Sequence, residues 1–476
     1  MLLKRFYDTK LAQASYLVGC QRTGEALVID ANRDVDQYVR GAEAEGLRIA
    51  HVTETHIHAD FVSGSRELAE RTGGQLYLSD EGDADWKYAY ARLAGAQLLR
   101  DGDVISVGNV TLRVLHSPGH TPEHVSFLLT DRAASDRPMG VFTGDFVFVG
   151  DVGRPDLLER AANVRGTMER SARTLFGSLQ EFKALPDYVQ VWPGHGAGSA
   201  CGKALGAVPQ STVGYEKLVN WALQAPNEDE FIAGVLSGQP EPPKYFAEMK
   251  RINKEGPRVL HGIPRPERLP VARLREKMTE GALVVDTRHA ADFAEGHVPG
   301  TINIPLNRSF TTWAGWLVPY DTDFHLIVDE DLVPQAIDEA ARDLSMIGLD
   351  RVAGYFGSEV ISGWAAEGGT LETIEHITPR ELAARQRQGD VAVIDVRGAS
   401  EWEEGHIPGV PNIPVGMLPD RLDEVPRDKP VAVHCQSGAR SAIAASVLQA
   451  SGVKNVMNVA GGFAEWSAGG LAVEKE

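Results

Sequence analysis

Cysteine is scarce: three residues in a chain of 476, at positions 20, 201 and 435. They are too few and too far apart for a disulfide framework, which excludes a stapled secreted scaffold and fits a reducing compartment. Each is read as a free thiol. Long apolar runs are missing too; none approaches the roughly 18 residues of a membrane span. The opening Met1-Leu-Leu-Lys-Arg-Phe-Tyr has no signal-peptide core, so a cytoplasmic protein is expected. Positive charge is in deficit, with 47 Lys and Arg against 66 Asp and Glu and a formal net charge of -19. No basic stripe offsets it, which excludes nucleic acid and anionic membrane as partners. The remainder, 43% hydrophobic and 24% charged, is that of an ordinary globular protein, and the length exceeds what one core can organise.

The chemistry-bearing residues begin with Thr55-His56-Ile-His58-Ala-Asp60-Phe61. They follow the apolar run Arg48-Ile-Ala-His-Val-Thr-Glu54, read as a buried strand ending at a loop. Three later stretches repeat this grammar of an apolar strand feeding a Gly-containing turn: Leu112-Arg-Val-Leu-His-Ser-Pro-Gly-His120, Gly140-Val-Phe-Thr-Gly-Asp145 and Val189-Gln-Val-Trp-Pro-Gly-His195. Glycine lets the backbone turn sharply enough for the next side chain to point at a shared centre. A lone His-x-His is as often an ordinary loop pair as a ligand pair. Four such turns in one chain point to a metal site. Ahead of them, Ser15-Tyr-Leu-Val-Gly-Cys20 and Glu25-Ala-Leu-Val-Ile-Asp30 read as a hairpin, with Cys20 at its core or rim.

The order and wording of these stretches resemble the metallo-β-lactamase superfamily over most of the first half of the chain. The resemblance implies an α/β fold, an αββα sandwich with the four turns gathered at one edge. The dinuclear zinc hydrolases of that superfamily read His-x-His-x-Asp-His, and Phe61 stands here where the last histidine would be. A second metal would lack a nitrogen ligand, whereas one ion held by two imidazoles and a carboxylate keeps open positions and suits Fe(II). Within the superfamily, Glu54-Thr-His-Ile-His-Ala-Asp60, Pro118-Gly-His-Thr121, Thr143-Gly-Asp145 and Gly153-Arg-Pro-Asp156 are similar to persulfide dioxygenases. That likeness implies one Fe(II) per chain on His56, His120 and Asp145, with zinc as the alternative ion. His58, Asp60 and His195 would orient ligands or water, or ligate a second metal if two are bound. Arg154 and Asp156 read as a structural ion pair. Cys201 is either an inert loop thiol or a relay that holds a sulfane sulfur beside the iron.

From about Asn227 to Pro270, the prolines of Gly238-Gln-Pro-Glu-Pro-Pro and Gly262-Ile-Pro-Arg-Pro-Glu-Arg-Leu-Pro270 read as a spacer wrapped on the first domain, then a boundary. A duplication follows. Ala282-Leu-Val-Val-Asp286-Thr-Arg288 is echoed by Ala392-Val-Ile-Asp395-Val-Arg397, and Glu295-Gly-His297-Val-Pro-Gly by Glu404-Gly-His406-Ile-Pro-Gly. The period is far longer than a solenoid repeat and means a duplicated domain. Both copies resemble the rhodanese family, which implies two doubly wound parallel α/β domains; the Asp-x-Arg pair is expected to pin the loop after its strand. In the second copy the strand Pro430–His434 runs into Cys435-Gln436-Ser437-Gly438-Ala439-Arg440 and a helix. A thiol at a helix N-terminus faces backbone amides and the positive dipole end, which favours thiolate and would cradle a persulfide on Gln436, Ser437, Gly438 and Ala439. The loop matches the rhodanese pattern Cys-x-x-Gly-x-Arg, making Cys435 and Arg440 the catalytic candidates. The first copy offers Glu330 at the nucleophile position among other carboxylates, and is expected to be silent, a scaffold or interface.

The expected organisation is a persulfide dioxygenase domain over 1–262, an inactive rhodanese-like domain over 263–372 and a rhodanese sulfurtransferase domain over 373–476. The resemblances imply sulfide detoxification. A low-molecular-weight persulfide is oxidised by O2 to sulfite and thiol, and Cys435 gives or uses thiosulfate. Similar proteins assemble as dimers or tetramers, so a homo-oligomer is expected. The alternative enzyme is a di-zinc glutathione-thioester hydrolase of the glyoxalase II type, against which Phe61 counts. A non-enzymatic sulfur-docking role would require Cys435 to be dispensable.

Overall fold

The computed structural model describes residues 1–157, 166–203, 205–239 and 241–475. The chain divides into two compact units, residues 1–263 with 345–348 and residues 264–344 with 349–476.

The first unit holds two six-stranded sheets. One runs in the order β1 (Leu2–Asp8), β2 (Gln13–Cys20), β3 (Glu25–Ile29), β4 (Arg48–Thr53), β5 (Gln75–Ser79), β6 (Gln97–Leu99). Its first three strands are antiparallel and β3 to β6 are parallel. The other contains β7 (Val104–Val107), β8 (Val110–His116), β9 (Val125–Asp131), β10 (Gly140–Gly144), β11 (Gln190–Pro193) and β12 (Ser211–Thr212), ordered β12-β11-β10-β9-β8-β7 and antiparallel except for the β10–β11 pair.

Strand periodicity explains why the sheets stack. Along β2 and β3, Tyr16, Val18, Leu27 and Ile29 face a core shared with Ile105, Leu112, Phe127 and Trp192 of the second sheet. The intervening Leu17, Ala26 and Val28 face the opposite way and pack with Tyr38, Ala42 and Leu68 of the helices Asp36–Glu43 and Ser65–Thr72. Successive side chains of a strand point to opposite faces, so a strand apolar at every position is one covered on both sides. The outer face of the second sheet is covered by the helices Met168–Lys183 and Glu228–Leu236. The result is the αββα sandwich. The turns that leave β4, β8, β10 and β11 carry the candidate ligands.

The segment read as a proline-stiffened spacer and then a boundary holds two helices, and the boundary between the compact units falls at Ile263 and Pro264. Asn227 caps the helix Glu228–Leu236 by accepting from Glu230 N at 2.9 Å, and three acidic residues fill its first turn. Both features favour a helix start. Pro242 and Pro243 stand just ahead of a second helix, Tyr245–Glu255, which buries Tyr245, Phe246 and Met249. These prolines punctuate two helices rather than stiffening a spacer.

The second unit contains two four-stranded parallel sheets. One has β13 (Leu283–Asp286), β14 (Ile302–Asn303), β15 (Phe324–Val328) and β16 (Val352–Gly357) in the order β14-β13-β15-β16. The other has β17 (Glu375–Ile377), β18 (Ala392–Asp395), β19 (Val431–His434) and β20 (Val456–Val459) in the order β17-β20-β19-β18. The duplication is visible atom by atom. Arg288 forks onto Asp286 and reaches Gly296 O at 3.1 Å, while Arg397 forks onto Asp395 and reaches Gly405 O at 2.7 Å. Each pair pins the loop after its strand, the structural role expected for this signature.

Candidate active sites

The ends of β4 and β10 and the β8–β9 connection bring His56, His120 and Asp145 together. Their ligand-type atoms all lie within 4.8 Å of one another. Asp145 Oδ2 is 3.9 Å from His56 Nε2 and 3.7 Å from His120 Nε2, and all three residues are buried. Burial, reinforced by the neighbouring imidazoles, holds His56 well below the usual histidine range, and burial lowers His120 to about 3. Both rings are therefore neutral, the form that ligates a metal. His56 Nε2 and both Asp145 oxygens have no hydrogen-bond partner. Unsatisfied buried acceptors facing one another are costly, and a bound cation is the group they fit.

The supporting shell fixes which nitrogen faces the centre. Thr55 Oγ1 donates to Asp30 Oδ2 at 3.0 Å, which leaves it to accept from His56 Nδ1 at 2.9 Å, so Nε2 points inward with its lone pair free. His120 Nδ1 donates to Arg154 O at 3.0 Å, with the same outcome. Asp145 N donates to His124 Nε2 at 3.2 Å, so the His124 proton sits on Nδ1, which meets Ser117 Oγ at 2.8 Å; the His124 ring stacks on His56 at 5.0 Å. Gly144 adopts φ 49, and a Cβ there would strike Thr55 and come within 2.8 Å of His124 Nε2, so only glycine lets β10 deliver Asp145. Second partners of this kind tune metal affinity about 10- to 100-fold.

Sequence reasoning missed three of these partners. Asp30, at the end of β3, accepts from Thr55 N at 2.7 Å and faces His58 Nε2 at 3.2 Å. Burial alone would lower His58, but the Asp30 carboxylate, helped by Glu54 and Asp60, overrides it and raises the ring to about 9. Glu123 accepts from Ile57 N at 2.8 Å, and His124 lies beside it. The available signal was a polar residue closing an apolar strand, or following one turn's histidine, and such residues are too common to stand out.

Asp60, His195 and Cys201 form a second buried trio, again with ligand-type atoms within 4.8 Å of one another. His195 Nε2 is 3.2 Å from Asp60 Oδ2 and 3.4 Å from Asp145 Oδ1, which joins the two trios. Burial raises the Cys201 thiol well above its ordinary range, and the Asp60 and Asp145 carboxylates add to that, so the thiol is protonated. Arg154, fully buried, forks onto Asp156 at 3.0 and 2.7 Å as the sequence suggested. It also donates from its backbone N to Cys201 O and from its guanidinium to Ala200 O, each at 3.2 Å. One residue thereby fixes both His120 and the Cys201 loop. His58 joins neither trio, its Nε2 being turned to Asp30. The Phe61 ring, fully buried, lies against His58 at 4.4 Å between centroids.

In the second unit Cys435 follows β19 and precedes the helix Ala439–Ala450. Its sulfur accepts from Gly438 N at 3.1 Å and Ser441 Oγ at 3.5 Å. Burial would raise this thiol, yet donors from Ser441, Ser437 and Gly438 outweigh it and lower the pKa below the usual thiol value. Cys435 as a residue is 1% exposed, while Gln436, Ser437 and Ala439 around it are open to solvent. Phe463 N donates to Cys435 O at 2.7 Å, anchoring the loop to the chain beyond β20. Arg440 is held in a two-pronged pair by Glu401, at 2.6 and 2.7 Å.

The strand registers correct one expectation for the first copy. Asp395 lies opposite His434, and Asp286 lies opposite Ile327. The position matching Cys435 is therefore Val328, and not Glu330. The first copy is two residues longer between its Asp-x-Arg and this strand, and aligning the copies by strand and helix placed the position two residues too late. Glu330 is not unopposed either: Tyr355 OH donates to it at 3.2 Å, and Arg265 and Arg268 approach to 3.7 and 3.8 Å. A buried valine has no lone pair to attack sulfur.

The comparisons with known proteins agree with this architecture. The metallo-β-lactamase superfamily matches residues 8–195, and the rhodanese-like domain matches residues 271–344 and 378–469. A crystal structure of a metallo-β-lactamase from Staphylococcus aureus is 46% identical, covers 75% of this chain and 99% of its own, and superposes with a TM-score of 0.67. A beta-lactamase hydrolase-like protein of Xylella fastidiosa is 31% identical over 252 residues, 48% of this chain and 54% of that protein, so the chain spans about half of its length. The mitochondrial persulfide dioxygenase of Bos taurus is 32% identical over 205 residues, 41% of this chain and 68% of that protein. A hydroxyacylglutathione hydrolase of Rhodopseudomonas palustris stands at 30% over 240 residues, 50% of this chain and 80% of that protein.

Proposed function

Because the chain belongs to the metallo-β-lactamase superfamily and continues into rhodanese-like domains, we propose that it oxidises a small-molecule persulfide and passes sulfur through Cys435. The oxidation is RSSH + O2 + H2O → RSH + SO3²⁻ + 2 H⁺, in which the sulfane sulfur loses four electrons and dioxygen gains them. One Fe(II) would be held by His56, His120 and Asp145; when bound it supplies a redox-active centre where O2 and a sulfur ligand can meet. The chain's own residues do the rest. Asp30 and Thr55 hold the His56 tautomer, Arg154 O orients His120, and the buried setting keeps bulk water from the reacting sulfur. Cys201, beside Asp60 and Asp145, would take up sulfane sulfur only after losing its proton, which the neighbouring carboxylates oppose.

The observation that carries this reading is the pairing of an orphaned two-imidazole, one-carboxylate trio with a thiol activated in a rhodanese loop on the same chain. Cys435 thiolate attacks the terminal sulfur of a persulfide, the S–S bond breaks, and the thiol leaves with the electron pair. The sulfur then goes to sulfite to give thiosulfate, or the reverse reaction supplies persulfide to the iron. The test is metal analysis of anaerobically purified protein together with O2 uptake on glutathione persulfide. Cys435→Ser should spare uptake and abolish thiosulfate. Cys201→Ser should slow uptake, and unchanged uptake with every persulfide tried removes it from the mechanism. The second reading, a thioester hydrolase with two metals, is favoured by the Asp60, His195 and Cys201 trio and by the hydroxyacylglutathione hydrolase relatives. Near two zinc ions per chain with thioesterase turnover and no O2 uptake would establish it.

A further inference from the structure

On the outer face of the second sheet, between β8, β9, β10 and the helix Met168–Lys183, lies a cavity of about 330 Å³. That is the lower end of the roughly 300–1,000 Å³ typical of small-molecule pockets, so its occupant is small. The walls are Leu115, Val141, Phe146, Phe182 and Leu185, part of the apolar layer beneath that helix. The floor is a pair of buried hydroxyls, Ser117 and Ser126, whose oxygens are 2.8 Å apart. Counting protons shows what this floor offers. His124 Nε2 accepts from Asp145 N, so its Nδ1 donates to Ser117 Oγ at 2.8 Å. The two hydroxyls then hold two protons, and one is used between them. The other finds no acceptor among the described residues and is free for a ligand. At the rim, Arg113 and Glu181 are exposed and of opposite charge, and among the described residues neither side chain has an ion-pair or hydrogen-bond partner. Asp101, the other carboxylate there, accepts from His116 N at 2.9 Å.

We propose that this cavity binds a zwitterionic α-amino acid with a thioether side chain. Arg113 takes the carboxylate, Glu181 takes the ammonium group, the methylene stem lies along Phe146 and Phe182, and the sulfur accepts the spare hydroxyl proton. A thioether suits these walls because it is apolar, makes favourable contacts with aromatic rings and accepts a weak hydrogen bond. A zwitterion carries no net charge, so the chain's formal charge of -19 does not oppose its approach. Occupying the floor also reaches the metal centre. The hydroxyl pair, His124 and the Asp145 amide form one hydrogen-bonded chain, and a ligand that accepts at its end strengthens the bonds behind it. The bound amino acid therefore holds the segment that delivers Asp145 more firmly, whatever reaction the centre carries out.

The test uses the full-length chain stripped of metal, because α-amino acids chelate metal ions themselves. Calorimetric titration with L-methionine should show one site per chain. Arg113→Ala and Glu181→Ala should each weaken it roughly two- to fivefold, and L-norleucine, which has a methylene in place of sulfur, should bind roughly two- to tenfold more weakly. Amide exchange over residues 140–147, followed by mass spectrometry, should slow about twofold at saturation. Neither heat nor a change in exchange at millimolar methionine would overturn the proposal. Binding that survives both substitutions unchanged would place methionine elsewhere and overturn it as well. Norleucine binding as tightly as methionine would overturn the thioether class, and binding that leaves exchange over 140–147 unaltered would overturn the link to Asp145.

Discussion

Replacing Asp30 with Asn should loosen the metal centre without touching a ligand. The side chain accepts from Thr55 N at 2.7 Å and Thr55 Oγ1 at 3.0 Å and faces His58 Nε2 at 3.2 Å. Asparagine keeps one carbonyl oxygen for Thr55 N and presents an amide nitrogen where the second oxygen was. The bond from Thr55 Oγ1 is lost and those from Thr55 N and His58 Nε2 lose their charge assistance; at about 1.5–3 kcal/mol for a charge-assisted bond, with relief of a buried charge returning part, the net local loss is about 2–4 kcal/mol. Backbone strain is not a confounder, because Asp30 sits at φ 54, a conformation asparagine tolerates as well. Amide hydrogen exchange over residues 48–61 of metal-free protein, followed by mass spectrometry, should quicken roughly 30- to 800-fold. The loss should also depend on pH with a definite sign. His58 is raised to about 9 in the fold, so its contribution is full below its ordinary 6.5 and disappears as pH rises through about 9. The variant should differ most from the parent at pH 6 and least above pH 9.5. Metal affinity should fall about 10- to 100-fold, since His56 loses the partner behind Thr55. Exchange within a factor of two of the parent, or a difference that grows with pH, would refute the role given to Asp30.

Phe61→His places an imidazole beside His58 and the Asp60 trio, and metal content by elemental analysis should move from one toward two ions per chain. An unchanged content in folded protein would remove Phe61 as the reason for a single ion. Ser441→Ala deletes a donor to the Cys435 sulfur, so alkylation by iodoacetamide at neutral pH should slow about three- to tenfold and its pH profile shift upward. A profile that stays in place would mean that the backbone amides alone activate the thiol. Arg154→Lys cannot hold Asp156 and Ala200 together, and both metal retention and the protection of the Cys201 amide should fall in parallel. Loss of one without the other would separate the two roles assigned to Arg154.

The metal trio and the thiol loop were legible because each rests on a local rule: an apolar strand, a turn that a glycine permits before His120 and Asp145, and a ligand or nucleophile delivered at the strand's end. The duplicated Asp-x-Arg was legible for the same reason, as its salt bridge closes within two residues. The helices over 228–255 were misread because proline density was weighed above the Asn227 cap and the acidic first turn. Glu330 was misplaced because the end of a strand read from sequence does not fix its register, which is set by the strand ladder.

Sequence alone determined which side chains could do chemistry here: two imidazoles and a carboxylate in turns that follow apolar strands, and one cysteine ahead of a helix. Tertiary structure decided what those side chains are allowed to be. It turned His58 Nε2 to Asp30, brought Cys201 to Asp60 and His195, set Val328 where a nucleophile would stand, and closed Glu401 onto Arg440. Such partners meet across tens to hundreds of residues, and no local pattern encodes a distance that exists only once sheets have stacked and strands have chosen their register.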